Sequence, residues 1–429
     1  MRKLLLTTAF GALLISSTFS NGNAATPLGD GAKASLSARR AQSLQEVVLT
    51  TFTSSTYHAN LASPLTPDGA GDYYGTTEDG GKGYGTVYEL SPDRRGGWKR
   101  TSVYSFSGFY DGRFPVLTPL VFDSKTGDIY GETGEGGPNN TGVVFRLHHQ
   151  ASGWTEAALY DFGVPGSVGT YPYDALLQDS SGDLYGCAVT IEGLHFAQII
   201  FELSPPSSGS GAWTGQTIYS VGVVSASNAD CGLVMDAGGN IFGLAAGLIE
   251  PASAFELSRS GSTWTPTIIY AFKRLDSYPI GAPVLDKAGN LYGTMFGGKA
   301  RTKSGAVYRL SPSKTGPWTS RIVYAFKGGT ADGSGPYAGV TFDASGNLYG
   351  TTLYGGAADD GTVFELVDQR GRYAEKLLWS FDGADGALPY SPVVLDSAGN
   401  VFGTTTAGGG GSTCYALAGC GNAFEITSN

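Results

Sequence analysis

The sequence predicts an all-β chain closing into a seven-bladed β-propeller of four-stranded antiparallel blades. Three observations carry that prediction. An aromatic-Gly step after a D-x-x-G turn occurs seven times, at Gly75, Gly131, Gly186, Gly243, Gly293, Gly350 and Gly403, at intervals of roughly 50–57 residues, a spacing typical of propeller blades. Two further short motifs follow each copy in fixed order. The seventh copy lacks its last strand, while an unmatched copy of that strand precedes the first repeat.

The elements of one repeat follow in order. The apolar run before each turn, such as Pro392-Val393-Val394-Leu395, reads as a first strand buried on both faces. The turn opens with Asp68, Asp123, Asp179, Asp236, Asp286, Asp343 or Asp396. There the carboxylate accepts bonds from nearby backbone N–H groups and the glycine takes a positive φ, so these residues read as turn formers rather than metal ligands or catalysts. The second strand is typified by Asn347-Leu348-Tyr349-Gly350-Thr351, its glycine read as allowing close packing between blades. A Gly-rich connection leads to the third strand, which ends in an aromatic, then Glu or Arg, then Leu or Ile, from Tyr88-Glu89-Leu90 to Phe424-Glu425-Ile426. The fourth is an alternating run such as T-S-V-Y-S-F, bounded by turn residues as strands are. Trp98, Trp154, Trp213, Trp264 and Trp318 stand at its start and are expected to cover blade faces. Glu46 to Phe52 is the orphan copy of this strand. Its return to the last blade would remove two open sheet edges.

Outside the repeats, Met1-Arg2-Lys3, the apolar run Leu4 to Ser16 and small residues up to Ala24 have the layout of a secretory signal peptide. Residues 1–24 are therefore read as a signal peptide, 25–45 as a flexible linker and 46–429 as the propeller. The apolar run is too short to span a bilayer, and no later segment reaches the ~20 apolar residues a span needs. The formal charge of −10 argues against nucleic acid, whose binding requires a basic footprint. The expected protein is a monomer, secreted or held in the periplasm or at the cell surface.

The run from Asp343 to Leu366 (D-A-S-G-N-L-Y-G-T-T, G-G, G-T-V-F-E-L), followed by a Y-x-F-x-G-x-D-G-like connector, resembles the GloVer-type tandem repeat of secreted bacterial proteins. The resemblance extends over residues 46 to 429 and is weaker in blades three and four, where Cys187-Ala188-Val189 and Leu244-Ala245-Ala246 replace T-T-x. It implies export and a repeat architecture, and no established reaction. The D-x-x-G-N-x-Y core is also similar to the NHL-like blades of lactonases and surface propellers.

Four cysteines suggest two disulfides in an exported chain. Cys414 and Cys420 flank a Gly-rich segment, and Cys187 and Cys231 fall at the ends of strands in adjacent blades, on the same face. No Cys spacing matches a zinc site, and no metal ligand set or cofactor is assigned; nothing in the repeat supports a calcium site.

Antiparallel order puts the loops between strands two and three on the same face as the connectors between blades. Tyr110 and Asp111, Asp332 and Asp385, and the Pro-Tyr residues Tyr173, Tyr337 and Tyr390 populate these loops. Aromatic rings among carboxylates suit a carbohydrate site, because rings cover sugar C–H faces while acceptors take hydroxyls. The competing reading makes the Asp-Gly pairs turns and the tyrosines inter-blade packing. His195 would share that face, while His148 and His149 end a strand and His58 lies in the first connector. No nucleophile or phosphate-binding signature is present, and a lyase would have only Arg113, Tyr110 and Lys82 to draw on. The leading expectation is a non-enzymatic binding module for a polysaccharide or a surface protein. The alternatives are a metal-assisted hydrolase or lyase of sugars or lactones on the same face, and a purely structural surface protein.

Overall fold

A computed structural model describes residues 44–428 apart from 54–62, 116–118, 193–194, 208, 210, 225–230, 246–251, 273–278, 298–302, 315, 411–412 and 415–416. The expected signal peptide and most of the linker lie outside the described residues. Among the described residues every regular element is a strand, and seven four-stranded antiparallel sheets form the blades of a propeller. Among the described residues no helix is long and apolar enough to cross a membrane.

Blade one runs through Thr66–Pro67, Tyr73–Thr77, Thr86–Pro92 and Trp98–Ser105, each strand pairing with the next. Blades two to six repeat the pattern. Blade seven is completed by Leu44–Thr51, which pairs antiparallel with Asn422–Ser428, from Leu44 opposite Ser428 to Thr51 opposite Asn422. The orphan strand thus closes the ring.

The innermost strands differ from expectation. Thr66–Pro67, Val234–Met235, Thr341–Phe342 and Val394–Leu395 have only two residues each and are mostly half-buried. Innermost strands border the central channel of a propeller, and one side faces that opening. Burial is deepest in the second and third strands, whose residues supply most of the core.

The repeated glycine does a second job besides the one expected. Gly131, Gly186, Gly243, Gly350 and Gly403 each lie directly opposite the aromatic of the third strand in the same blade: Phe145, Phe201, Phe255, Phe364 and Phe424. The ring folds back over the glycine, so a Cβ at Gly350 would sit 2.6 Å from the Phe364 ring. The close approach is mainly within a blade, and at Gly186 a Cβ would also come 2.7 Å from Glu132 of the preceding blade, as expected for inter-blade packing.

The fourth strand is not a simple alternation either. In every blade the register slips at the same point, opposite the third-strand aromatic. The extra residue is aliphatic, as with Leu49, Ile269 and Leu378, all buried. Such a bulge adds twist to the outer strand while turning one more apolar side chain inward.

Blades adhere through a second repeated device. The Trp that opens a fourth strand reaches the second-strand aromatic of the preceding blade: Trp154 to Tyr74 at 6.0 Å, Trp264 to Tyr185 at 5.7 Å, Trp318 to Phe242 at 6.0 Å and Trp98 to Phe402 at 5.7 Å. Tyr373 takes that place against Tyr292. Trp98 and Trp264 also donate their indole N–H to Glu425 and Glu202 of the preceding blade, both at 3.2 Å. Tilted and edge-on ring pairs of this kind contribute roughly 0.5–1.5 kcal/mol each beyond area burial.

Near the loop-rich face, the Thr after the repeated glycine bonds a carbonyl of the next blade: Thr294 to Ala338, Thr351 to Ser391 and Thr404 to Ser63, at 2.9, 3.0 and 3.2 Å. Blade three has Cys187 where those blades have Thr, and Cys231 occupies the position of Ser391. The two form a disulfide, with Cα atoms 6.5 Å apart. A covalent bond replaces the hydrogen bond at this one interface. Cys420 is also disulfide-bonded, and the side chain of its expected partner, Cys414, lies outside what the structure describes.

Candidate functional site

The turn carboxylates are spent on their turns. Asp343 Oδ1 accepts the N–H groups of Ser345 and Asn347, both at 2.8 Å, and Oδ2 accepts the Asn347 amide at 2.8 Å. Asp236, Asp286 and Asp396 repeat the arrangement with Asn240, Asn290 and Asn400. These groups lie on the face opposite the connectors.

On the connector face three of the loops after a fourth strand are knitted to the strand-two-to-three loop of the following blade. Arg113 pairs with Glu135, Gly333–Ser334 with Tyr354–Gly355, and Ala387 with Ala407. The Arg113 guanidinium also forms an ion pair with the Glu135 carboxylate. Blade three has no Gly-Gly excursion. Its second and third strands, Leu184–Glu192 and His195–Ser204, instead run on as a hairpin in which His195 stands opposite Glu192.

The three connector aspartates are internal fixtures. Asp111 is buried and accepts the Tyr104 hydroxyl at 2.9 Å, the Ser107 N–H at 2.7 Å and the Ser107 hydroxyl at 2.6 Å. Burial pushes its carboxyl up, but the bonds from Ser107 and Tyr104 outweigh that and hold it below the ordinary value. Asp332 is buried and accepts Tyr324 at 2.9 Å, with the N–H groups of Lys327 and Gly333. Asp385 accepts the Trp379 indole at 2.8 Å, and burial with the neighbouring charge of Asp382 raises its carboxyl. All three orient a fourth-strand ring.

The tyrosines divide into two groups. Tyr337 and Tyr390 meet with centroids 4.0 Å apart and planes inclined by 41°, and Phe296 meets Tyr337 at 5.5 Å. This half-exposed row of three rings passes from blade five to blade seven, and exposed Tyr354 lies beside it against Gly335. Tyr173 is elsewhere. It stands opposite Cys187 and packs against the cluster containing both Cys187 and Cys231.

At the connector from blade one to blade two, Phe109 and Tyr110 project with 70% and 78% of their surface exposed. Next to this loop lies Glu78, whose carboxyl is pushed up to about 7 by burial and by the charges of Asp79 and Glu135. Phe296 and Tyr354 carry no motif of their own; Glu78 falls in the Glu78–Gly81 loop that the order of strands puts on this face. On the opposite face, Arg259 is held by Asp179, Asp183 and Glu202 at 3.3, 3.8 and 3.2 Å, tying blade four to blade three. Among the described residues no group of three or more His, Cys, Asp or Glu side chains is placed to hold a metal ion.

No curated protein matches this chain. Among solved structures, a puromycin-hydrolysing peptidase of Mycobacterium tuberculosis matches with a TM-score of 0.51 and 11% identity, over 83% of this chain and 52% of its own. The chain thus spans about half the length of that enzyme. A protein of unknown function from Dyadobacter fermentans matches with a TM-score of 0.43 and 13% identity, over 77% of this chain and 97% of its own. At such identities the likeness concerns the fold alone. The model of the Gloeobacter/Verrucomicrobia repeat matches residues 27–247 and again 232–429, and with its seven turn, aromatic-Gly and third-strand motif units the chain belongs to that repeat family.

Proposed function

We propose that this propeller is an exported, non-enzymatic recognition module that binds polysaccharide on its connector face. The observation that carries the reading is the row Phe296, Tyr337 and Tyr390, three touching and partly exposed rings held across two blade interfaces. Successive rings on a rigid scaffold suit a chain of sugar rings, whose C–H faces each aromatic can cover. The projecting Phe109 and Tyr110 offer a further platform on the same face. Export is supported by the basic start and apolar run of residues 1–24 and by the Cys187–Cys231 disulfide, which suits an oxidising compartment.

A glycan and polysaccharide binding screen of residues 25–429, run with and without calcium and read also for product release, tests this. Binding without turnover is expected, and Y337A or Y390A should each weaken it about tenfold, the equivalent of ~1.4 kcal/mol. Binding unaffected by either change would remove the ring row from the argument.

A second reading, a hydrolase or lyase of sugars, draws on Glu78. A carboxylic acid held at about 7 beside other carboxylates has the protonation a general acid needs. Product release that disappears in E78Q would favour it.

A further inference from the structure

Three of the seven blade interfaces share a constellation whose residues the sequence does not supply at the other four. At the one–two interface, Tyr104 of blade one donates to connector Asp111, and Glu156 of blade two faces that aspartate. At five–six the same places are held by Tyr324, Asp332 and Glu375. At six–seven they are held by Trp379, Asp385 and Glu46, the last on the ring-closing strand.

The positions are structurally equivalent. Glu156, Glu375 and Glu46 each lie opposite the residue that ends the third-strand motif: Leu147, Leu366 and Ile426. The connectors into the other four blades contain no Asp-Gly, and there the place opposite that residue holds Arg100, Gly215, Pro266 or Ser320. Glutamate and connector Asp-Gly therefore occur together or not at all.

Each glutamate also turns one oxygen inward. The Oε1 atoms of Glu46, Glu156 and Glu375 are buried and accept no hydrogen bond. A buried, ionised oxygen without a donor is costly, and protonation removes that charge. The charged surroundings favour the protonated form. Glu156 faces Asp111 and Asp161, Glu46 faces Asp385 and Asp382, and Glu375 faces Asp332, with only Lys327 opposing.

We propose that these three glutamates are protonated clasps between blades: each holds its own proton near a connector aspartate while the ring is closed and releases it when the interface opens. Burial foremost, then the facing carboxylates, pushes each glutamate up to about 7. The folded chain thus binds protons that the unfolded chain releases, and stability falls as pH rises from the ordinary glutamate value near 4.5 through 7. Acid tightens these joints, and mild alkali loosens them.

The test is the melting temperature of residues 25–429 between pH 4.5 and 8, for the unchanged chain and for E46Q/E156Q/E375Q, in which a neutral amide replaces each protonated acid. The unchanged chain should lose melting temperature across that range, and the triple variant should lose much less and exceed it at pH 8. Equal slopes would overturn the proposal. Should the variant not fold, proton release on denaturing the unchanged chain at pH 6 decides. Release of about three protons more than the remaining groups account for is expected, and no excess release would refute it.

Discussion

Replacing Gly350 by Ala tests the packing that all seven blades share. The added Cβ would lie 2.6 Å from Phe364 Cζ and 3.1 Å from a second ring carbon, where carbon atoms normally approach to about 3.5–4.0 Å. The ring must therefore retreat by about 1 Å. It has nowhere to go, because Phe364 is buried and Phe326 packs edge-on against it at 5.0 Å. Overpacking of this kind costs about 1–3 kcal/mol. Loss of backbone freedom in the unfolded chain returns about 0.4–1 kcal/mol. A net destabilisation of about 1–2 kcal/mol is expected, read as a lower urea midpoint at unchanged slope. Gly316→Ala is the control, since the nearest atom to its Cβ is 4.0 Å away and its backbone lies outside the left-handed region. F364L in the same chain should recover part of the loss, a coupling of about 0.5–3 kcal/mol in a double-mutant cycle. If Gly350→Ala is as stable as Gly316→Ala, the ring does not need the glycine and the account of the repeat fails.

Other outcomes follow from the same structure. Deleting residues 44–52 removes the strand that pairs with Asn422–Ser428 and the core residues Leu49 and Phe52; the melting transition should collapse, and an unchanged curve would disprove closure. C187S/C231S opens a loop with a sequence separation of 44 and should cost about 4 kcal/mol on chain-entropy reasoning, measured by chemical denaturation. Thiol titration of the unfolded, unreduced chain should find almost no free thiol, whereas two free thiols would show that one pair is not formed. D343A removes three hydrogen bonds from one turn and should cost about 1–3 kcal/mol, with the other six turns intact and the fold retained by circular dichroism.

Local chemistry was readable where it stays within a few residues. The Asp343 turn is complete between residues 343 and 347, so its motif announces it. Ring closure was readable because an orphan strand has a definite partner to find. The bulge was not, since in Val-Tyr-Ser-Phe an extra inward residue leaves the alternation of polar and apolar nearly unchanged. The connector aspartates were misleading for a related reason: an Asp-Gly that accepts a tyrosine hydroxyl looks the same in sequence as one that awaits a ligand. Asp111 and Glu156 face each other only across a blade interface, and Asp385 faces Glu46 only after the ring has closed. No local pattern links them.

Because Ser428 lies opposite Leu44, the start and finish of the described chain are antiparallel neighbours, as the arms of an ordinary hairpin are. The order of the blades around the ring is therefore independent of where the polypeptide is cut. Ligating those ends through a short turn and opening the backbone between two blades would yield a circular permutant with every strand pair preserved. In that molecule each blade would be built from consecutive residues, and the slow search of one end for the other would become a local turn.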